Sequence, residues 1–108
     1  MKKVIVIIAS SIFLSLSLIS KEVIIDVRTL EEWNQGHLAS AKRIEWQDVS
    51  QTIQSLDLKI DTKIILYCRS GNRAGKAKIM LNDLGYINVI NAGSLLEAKV
   101  LVGDEVER

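Results

Sequence analysis

Lys63-Ile64-Ile65-Leu66-Tyr67-Cys68-Arg69-Ser70-Gly71-Asn72-Arg73 decides how the rest of the chain is read. Ile64 to Tyr67 form an unbroken apolar run behind the turn-like Asp61-Thr62, which reads as a strand buried on both faces of a parallel sheet. The run passes directly into a polar loop. Beyond the loop, Ala74, Ala77, Leu81 and Leu84 recur at spacings of three, four and three. That pattern predicts an amphipathic helix of about three turns, closed by Gly85 at the C′ position.

A cysteine at the carboxyl end of a parallel strand lies where ligands collect in open α/β sheets. Loop amides and the first turn of the next helix aim N–H dipoles toward its sulfur and favour thiolate over thiol. Arg69 and Arg73 add positive charge, and Gly71 permits the tight curvature that an anion cradle needs. A lone cysteine is more often a small buried hydrophobe than a nucleophile. Here its place at the head of a loop that carries two arginines and opens a helix favours the reactive reading.

Outward from this centre the chain alternates strands and helices. Val23 to Val27 reads as a second buried strand, and Thr29-Leu30-Glu31-Glu32 as a capping box that opens a short helix through Trp33. Gly36-His37 ends that helix. Ala41 to Ile44 is expected to be a brief strand, and Asp48 or Ser50 to cap a helix carrying Ile53 and Leu56 on one side. Asn88 to Asn91 reads as a further strand, Gly93 as a turn and Leu95 to Val102 as a terminal helix. The last six residues are polar enough to fray. Strands and helices of this size in alternation imply an α/β domain whose sheet is covered on both faces.

Composition narrows the function. Fourteen Lys and Arg against thirteen Asp and Glu leave +1 over 108 residues, which gives no basic excess for a nucleic-acid binder. The single cysteine excludes an internal disulfide and a Cys-rich metal site, and one Cys with one His does not make a metal cluster. Trp33 and Trp46 show no stacking array for bases.

Residues 1–20, MKKVIVIIASSIFLSLSLIS, have the layout of a secretory signal peptide: Lys2 and Lys3, then an apolar run with small residues near its end. Val4 to Ile19 is sixteen residues, short of the roughly 20 that cross a bilayer comfortably. The expected division is a leader over 1–20 and one domain over 21–108, exported to the periplasm and without stable membrane insertion once the leader is cleaved. An uncleaved anchor is the alternative, and would tether the same domain.

Four stretches together resemble a single-domain rhodanese, a sulfurtransferase, most like the small secreted members. They are IDVRTLEEWNQGHLASA from Ile25 to Ala41, ILYCRSGNRAGKA from Ile65 to Ala77, LGYINV from Leu84 to Val89, and NAG from Asn91 to Gly93. They span nearly all of the chain after the leader. The resemblance puts the family's active-site cysteine on Cys68 and its six-residue loop on Cys68 through Arg73. It implies a compact three-layer domain, with a central, mainly parallel sheet and helices on both faces. Departures are modest: Ala39-Ser40-Ala41 replaces a common Pro-Gly-Ala, Ala74 stands where Ser is frequent, and the Trp-x-x-x-Gly ending of many relatives is absent.

The resemblance implies a two-step transfer without cofactor or metal. Cys68 would take the outer sulfur of a small anionic donor such as thiosulfate, and the persulfide would pass it to cyanide or a thiol, a periplasmic protein thiol among the candidates. Arg69, Ser70, Gly71, Asn72 and Arg73 would form the binding loop, Arg69 meeting incoming anions and Arg73 bracing. Asp26 and Arg28 are expected to brace the same sheet end, and His37 to be a structural hydrogen-bonder. Related Cys-loop-Arg phosphatases and arsenate reductases use Cys-x5-Arg, whereas Cys68 to Arg73 counts Cys-x4-Arg. A non-catalytic or slow sulfur-carrying or partner-binding module is the other alternative. Without Cys-x-x-Cys, a thiol–disulfide oxidoreductase lacks its resolving cysteine.

Overall fold

The computed structural model describes residues 22–108; the expected leader lies outside the described residues. Four strands form a parallel sheet: β1 (Glu22–Asp26), β3 (Ala41–Arg43), β4 (Lys63–Cys68) and β5 (Val89–Ser94), in the order β3-β1-β4-β5. β1 and β4, the two most apolar runs, occupy the centre, in the register Ile24 with Ile65, Ile25 with Leu66 and Asp26 with Tyr67. Central strands of a parallel sheet are buried on both faces, which is why their sequence is a run rather than an alternation.

The strand period of two divides these side chains between two layers. Ile25, Ile64, Leu66 and Cys68 face α2 (Val49–Ser55) and α3 (Asn72–Asp83), packing with Val49, Ile53, Ala74, Ala77 and Leu81. Ile24, Ile65 and Tyr67 face the other way, onto Leu38 and onto Leu95, Ala98 and Val102 of α4 (Leu95–Val102). Helices therefore cover both faces, as expected. α1 (Leu30–Gln35) buries none of its residues and is held by its cap: Thr29 Oγ1 accepts from the Glu32 amide, and Glu32 Oε1 accepts from Thr29 N–H.

Several local expectations need correction. A 3-10 turn over Trp46–Asp48 leads into α2, and neither Asp48 nor another side chain makes a capping bond there. Leu84, counted in the apolar stripe of α3, is its C-cap and lies 40% exposed, while Gly85 follows at φ 102 as anticipated. Gly93 is not a separate turn. It sits inside β5 at φ 83, and Ser94 then caps α4 through a second capping box with Glu97.

The carboxyl end, expected to fray, is paired. β6 (Val106–Glu107) runs antiparallel to β2 (His37–Leu38), Leu38 opposite Val106. Asp104 supplies the reason: its carboxylate accepts from Ser40 N–H and from Glu105 N–H, both at 2.8 Å, and the Glu105 carbonyl accepts from Ala39 N–H. The Ser40 amide, and after it the Glu105 amide, hold the Asp104 carboxyl below the usual carboxylate range. Truncation after Gly103 should lower unfolding stability by about 1–3 kcal/mol, the sum of a few exposed backbone bonds. Hydrogen exchange should show lost protection at Ala39 and Ser40, whose amides donate to Glu105 and Asp104; unchanged protection there would contradict the pairing.

Candidate functional site

β4 delivers Cys68 to the carboxyl edge of the sheet, and the chain reaches helix α3 after only three more residues, Arg69, Ser70 and Gly71. A turn this short needs one residue in the left-handed region. Gly71 supplies it at φ 94, where a side chain would be strained. The conformation swings the Gly71 amide back over the strand end, so that its N–H donates to Cys68 Sγ at 3.0 Å. Cys68 is the one free cysteine and is 1% exposed, packed beneath the loop among Ala74, Leu66 and their neighbours. Arg69, Ser70 and Asn72 are exposed above it.

Asn91 of β5 fastens the loop from outside. Its Nδ2 donates to the Gly71 carbonyl at 2.9 Å, and its Oδ1 accepts from Gly93 N–H at 3.0 Å. The Gly71 carbonyl also accepts from Gly75 N–H, the first bond of α3. Nothing in the sequence pattern singled out Asn91 for this contact, because the pairing joins residues twenty apart, one on β5 and one in the loop after β4.

The expected arginines divide into different tasks. Arg73 is fully engaged: Nη1 and Nη2 donate to Glu32 Oε1 and Oε2 at 2.7 and 2.9 Å, tying α3 to α1. The Arg73 guanidinium, together with the Thr29 cap, holds the Glu32 carboxyl down at about 2. Glu32 is thus both a capping residue and an ion-pair partner; the sequence showed only the first. Arg69 makes no ion pair among the described residues, in contrast to Arg28, Arg43 and Arg73.

Asp26 and Arg28 form a buried pair. Asp26 Oδ1 accepts from Arg28 Nε at 2.8 Å and Oδ2 from Nη2 at 2.6 Å, while the same Nη2 donates to the Gly36 carbonyl at 2.7 Å. The guanidinium lies 5.5 Å over the Tyr67 ring, whose hydroxyl accepts from Leu38 N–H. Burial pushes the Tyr67 phenol above its ordinary value, so it stays protonated. The pair braces β1 against the α1–β2 turn and the last residue before Cys68. None of its hydrogen bonds reaches residues 68–73, so the support it gives the loop is indirect.

His37 Nδ1 lies 3.0 Å from the Trp33 carbonyl, and its ring stacks on Trp33 at 3.5 Å between centroids, away from any bond to Cys68. Among the described residues, no three His, Cys, Asp or Glu side chains gather as metal ligands. An apolar groove of about 710 Å³ follows Ile90, Ala92, Leu96, Val100 and Leu101 along the free edge of β5, and no residue of the 68–73 loop lines it. No described helix is long and apolar enough to cross a membrane.

Folding holds Glu32 below its free value of 4.5, so its contribution to stability is complete above that pH and is lost as pH falls toward about 2. Glu32→Gln should remove that share of the acid sensitivity. Urea unfolding followed across this window should show the parent losing stability relative to the variant as pH drops. Parallel stability curves for the two would contradict the pairing.

The geometry can be set beside proteins already known. The sequence model of the rhodanese-like domain family matches residues 14–95. The chain is 33% identical over 87 residues to the thiosulfate sulfurtransferase PspE of Escherichia coli K12, covering 81% of this chain and 84% of that protein. A solved structure described as a rhodanese with anions, from E. coli, superposes with a TM-score of 0.67 at 34% identity, over 70% of this chain and 89% of the other. A rhodanese-like domain from Anabaena, at 24% identity and a TM-score of 0.68, covers 80% of this chain and 98% of that one, and shares the fold. With the sheet order, the loop and these matches in agreement, the chain belongs to the rhodanese-like domain family and is related to thiosulfate sulfurtransferases.

Proposed function

We propose that the protein is a sulfurtransferase that carries a sulfane sulfur on Cys68 from thiosulfate, or a related small anionic donor, to cyanide or a thiol. The observation that carries this reading is the Gly71 N–H on Cys68 Sγ in a loop that is Cys-x4-Arg long. A hydrogen-bond donor aimed at sulfur stabilises negative charge that develops there during transfer, and a loop amide already in place needs no reorganisation when it does.

The steps balance without any external oxidant. The Cys68 thiolate attacks the outer sulfur of thiosulfate. A new S–S bond forms, and the donor's own S–S bond breaks with its electron pair leaving on sulfite. Cyanide then attacks the outer sulfur of the persulfide, the pair returns to Cys68, and thiocyanate departs. The persulfide places its reacting atom about 2 Å beyond Sγ, which suits a cysteine that lies just beneath its loop. Arg69 is exposed and free of an acidic partner among the described residues, and it meets the donor anion. Ser70 and Asn72 are exposed in the same loop, while Arg73, Asp26 and Arg28 hold the surroundings in place.

The burial of Cys68, which slows the approach of any donor or acceptor, is the observation that favours the second reading, a non-catalytic or slow module that carries sulfur or binds a partner. The phosphatase and arsenate-reductase alternative is disfavoured by the shorter loop and by Arg73, whose guanidinium is committed to Glu32 rather than open to an oxyanion. Residues 1–20 act as the leader and 21–108 as the exported domain, working in the periplasm; that assignment rests on the layout of the leader itself.

Thiocyanate release from thiosulfate and cyanide tests the proposal. The parent protein should turn over, and Cys68→Ala should abolish the activity while remaining folded. Arg69→Ala should raise the KM for thiosulfate about two- to fivefold, the effect of one exposed charge, with less change in kcat. A folded, reduced parent that forms no thiocyanate, or a Cys68→Ala variant that still does, would overturn the reading.

A further inference from the structure

We infer that Asn91 is a positioning residue for Cys68, acting through Gly71; the inference rests on the sulfurtransfer reading and names a further part of that site. α3 begins without help from its own sequence, since its N-cap is Gly71 and no side chain there caps the helix. The residue whose amide touches the sulfur therefore has no side chain to hold it, and within its own loop and helix only the Gly75 amide holds its carbonyl. Gly71 adopts φ 94 and follows two exposed residues.

Asn91 supplies a second hold on that carbonyl, from the neighbouring strand. A carboxamide carries a donor and an acceptor on one rigid plane, and here both are used. Oδ1 is fixed by Gly93 N–H, which leaves Nδ2 aimed at the Gly71 carbonyl. The surroundings leave room for that approach: a Cβ at Gly71 would stand 3.4 Å from Gly93 Cα and 3.6 Å from Asn91 Oδ1. Holding the Gly71 carbonyl fixes the residue at one end and leaves its N–H directed at Sγ at the other. An aspartate of the same shape keeps the bond from Gly93 but puts an acceptor against the Gly71 carbonyl, and adds negative charge beside the loop. Gly75 touches the same amide only passively. A methyl there would lie 3.5 Å from Nδ2, ordinary contact.

The test is the rate at which neutral iodoacetamide and anionic iodoacetate alkylate Cys68 in the full chain at neutral pH. Asn91→Ala, Asn91→Asp and the packing control Gly75→Ala are compared with the parent. Both Asn91 variants should react with iodoacetamide about three- to tenfold more slowly, as expected for losing one hydrogen bond's hold on the sulfur's donor. Asn91→Asp should discriminate further against iodoacetate, and Gly75→Ala should match the parent with both reagents. In the sulfur-transfer assay the Asn91 variants should lose kcat with little change in KM. Parent-like alkylation in either folded Asn91 variant, or an equal loss in Gly75→Ala, would overturn the inference. Alkylation reads the sulfur itself, so a parent that alkylates normally yet forms no thiocyanate would overturn the sulfurtransfer reading and leave the role of Asn91 standing.

Discussion

A parallel strand that ends in a cysteine and must become a helix three residues later has few ways to turn, and the left-handed Gly71 is the one this chain uses. The conformation does two things at once. It aims the Gly71 amide at Cys68 Sγ, and it presents the Gly71 carbonyl to Gly75 as the first link of α3. A Cβ at this position would bring a residue strained at φ 94 up against Gly93 and Asn91. Much of the surrounding structure can be understood as keeping this one turn in place, from Asn91 on the β5 side to the Glu32–Arg73 clasp on the α1 side.

The two guanidinium clasps differ in kind. Asp26–Arg28 is buried, with no buried polar side-chain atom left unpartnered among the described residues, and a pair of that sort sets a specific geometry more than it adds net stability. Its effect is to fix where β1 ends relative to the Gly36 turn and Tyr67, and so where β4 hands over to the loop. Glu32–Arg73 is partly exposed and bidentate, joining two helices that otherwise share little apolar surface. It also takes the arginine nearest the helix start out of contention as a substrate ligand. The one arginine of the loop left without an acidic partner among the described residues is Arg69.

Much of this was legible in the sequence, for identifiable reasons. The buried strands announced themselves as β-branched runs, the helix after the loop as Ala74, Ala77 and Leu81 on one stripe, and α1 by its capping box. The loop's position followed from strand and helix periodicity alone. What stayed hidden depends on contacts between distant residues. Glu32 reaches Arg73 across forty-one positions, Asn91 reaches Gly71 across twenty, and Asp104 reaches Ser40 across sixty-four. The polar tail looked ready to fray because composition reports the absence of a core, and says nothing of a partner strand such as β2.

The central claim is that Cys68 accepts and gives up one sulfur atom. Mass spectrometry of the intact, reduced protein after exposure to thiosulfate tests it most directly, followed by digestion to locate any added mass. The account predicts a gain of a single sulfur on the peptide containing Cys68, removed again by cyanide. A protein that gains no sulfur while its thiol is shown to be reduced, or that carries the sulfur on any other residue, would contradict it.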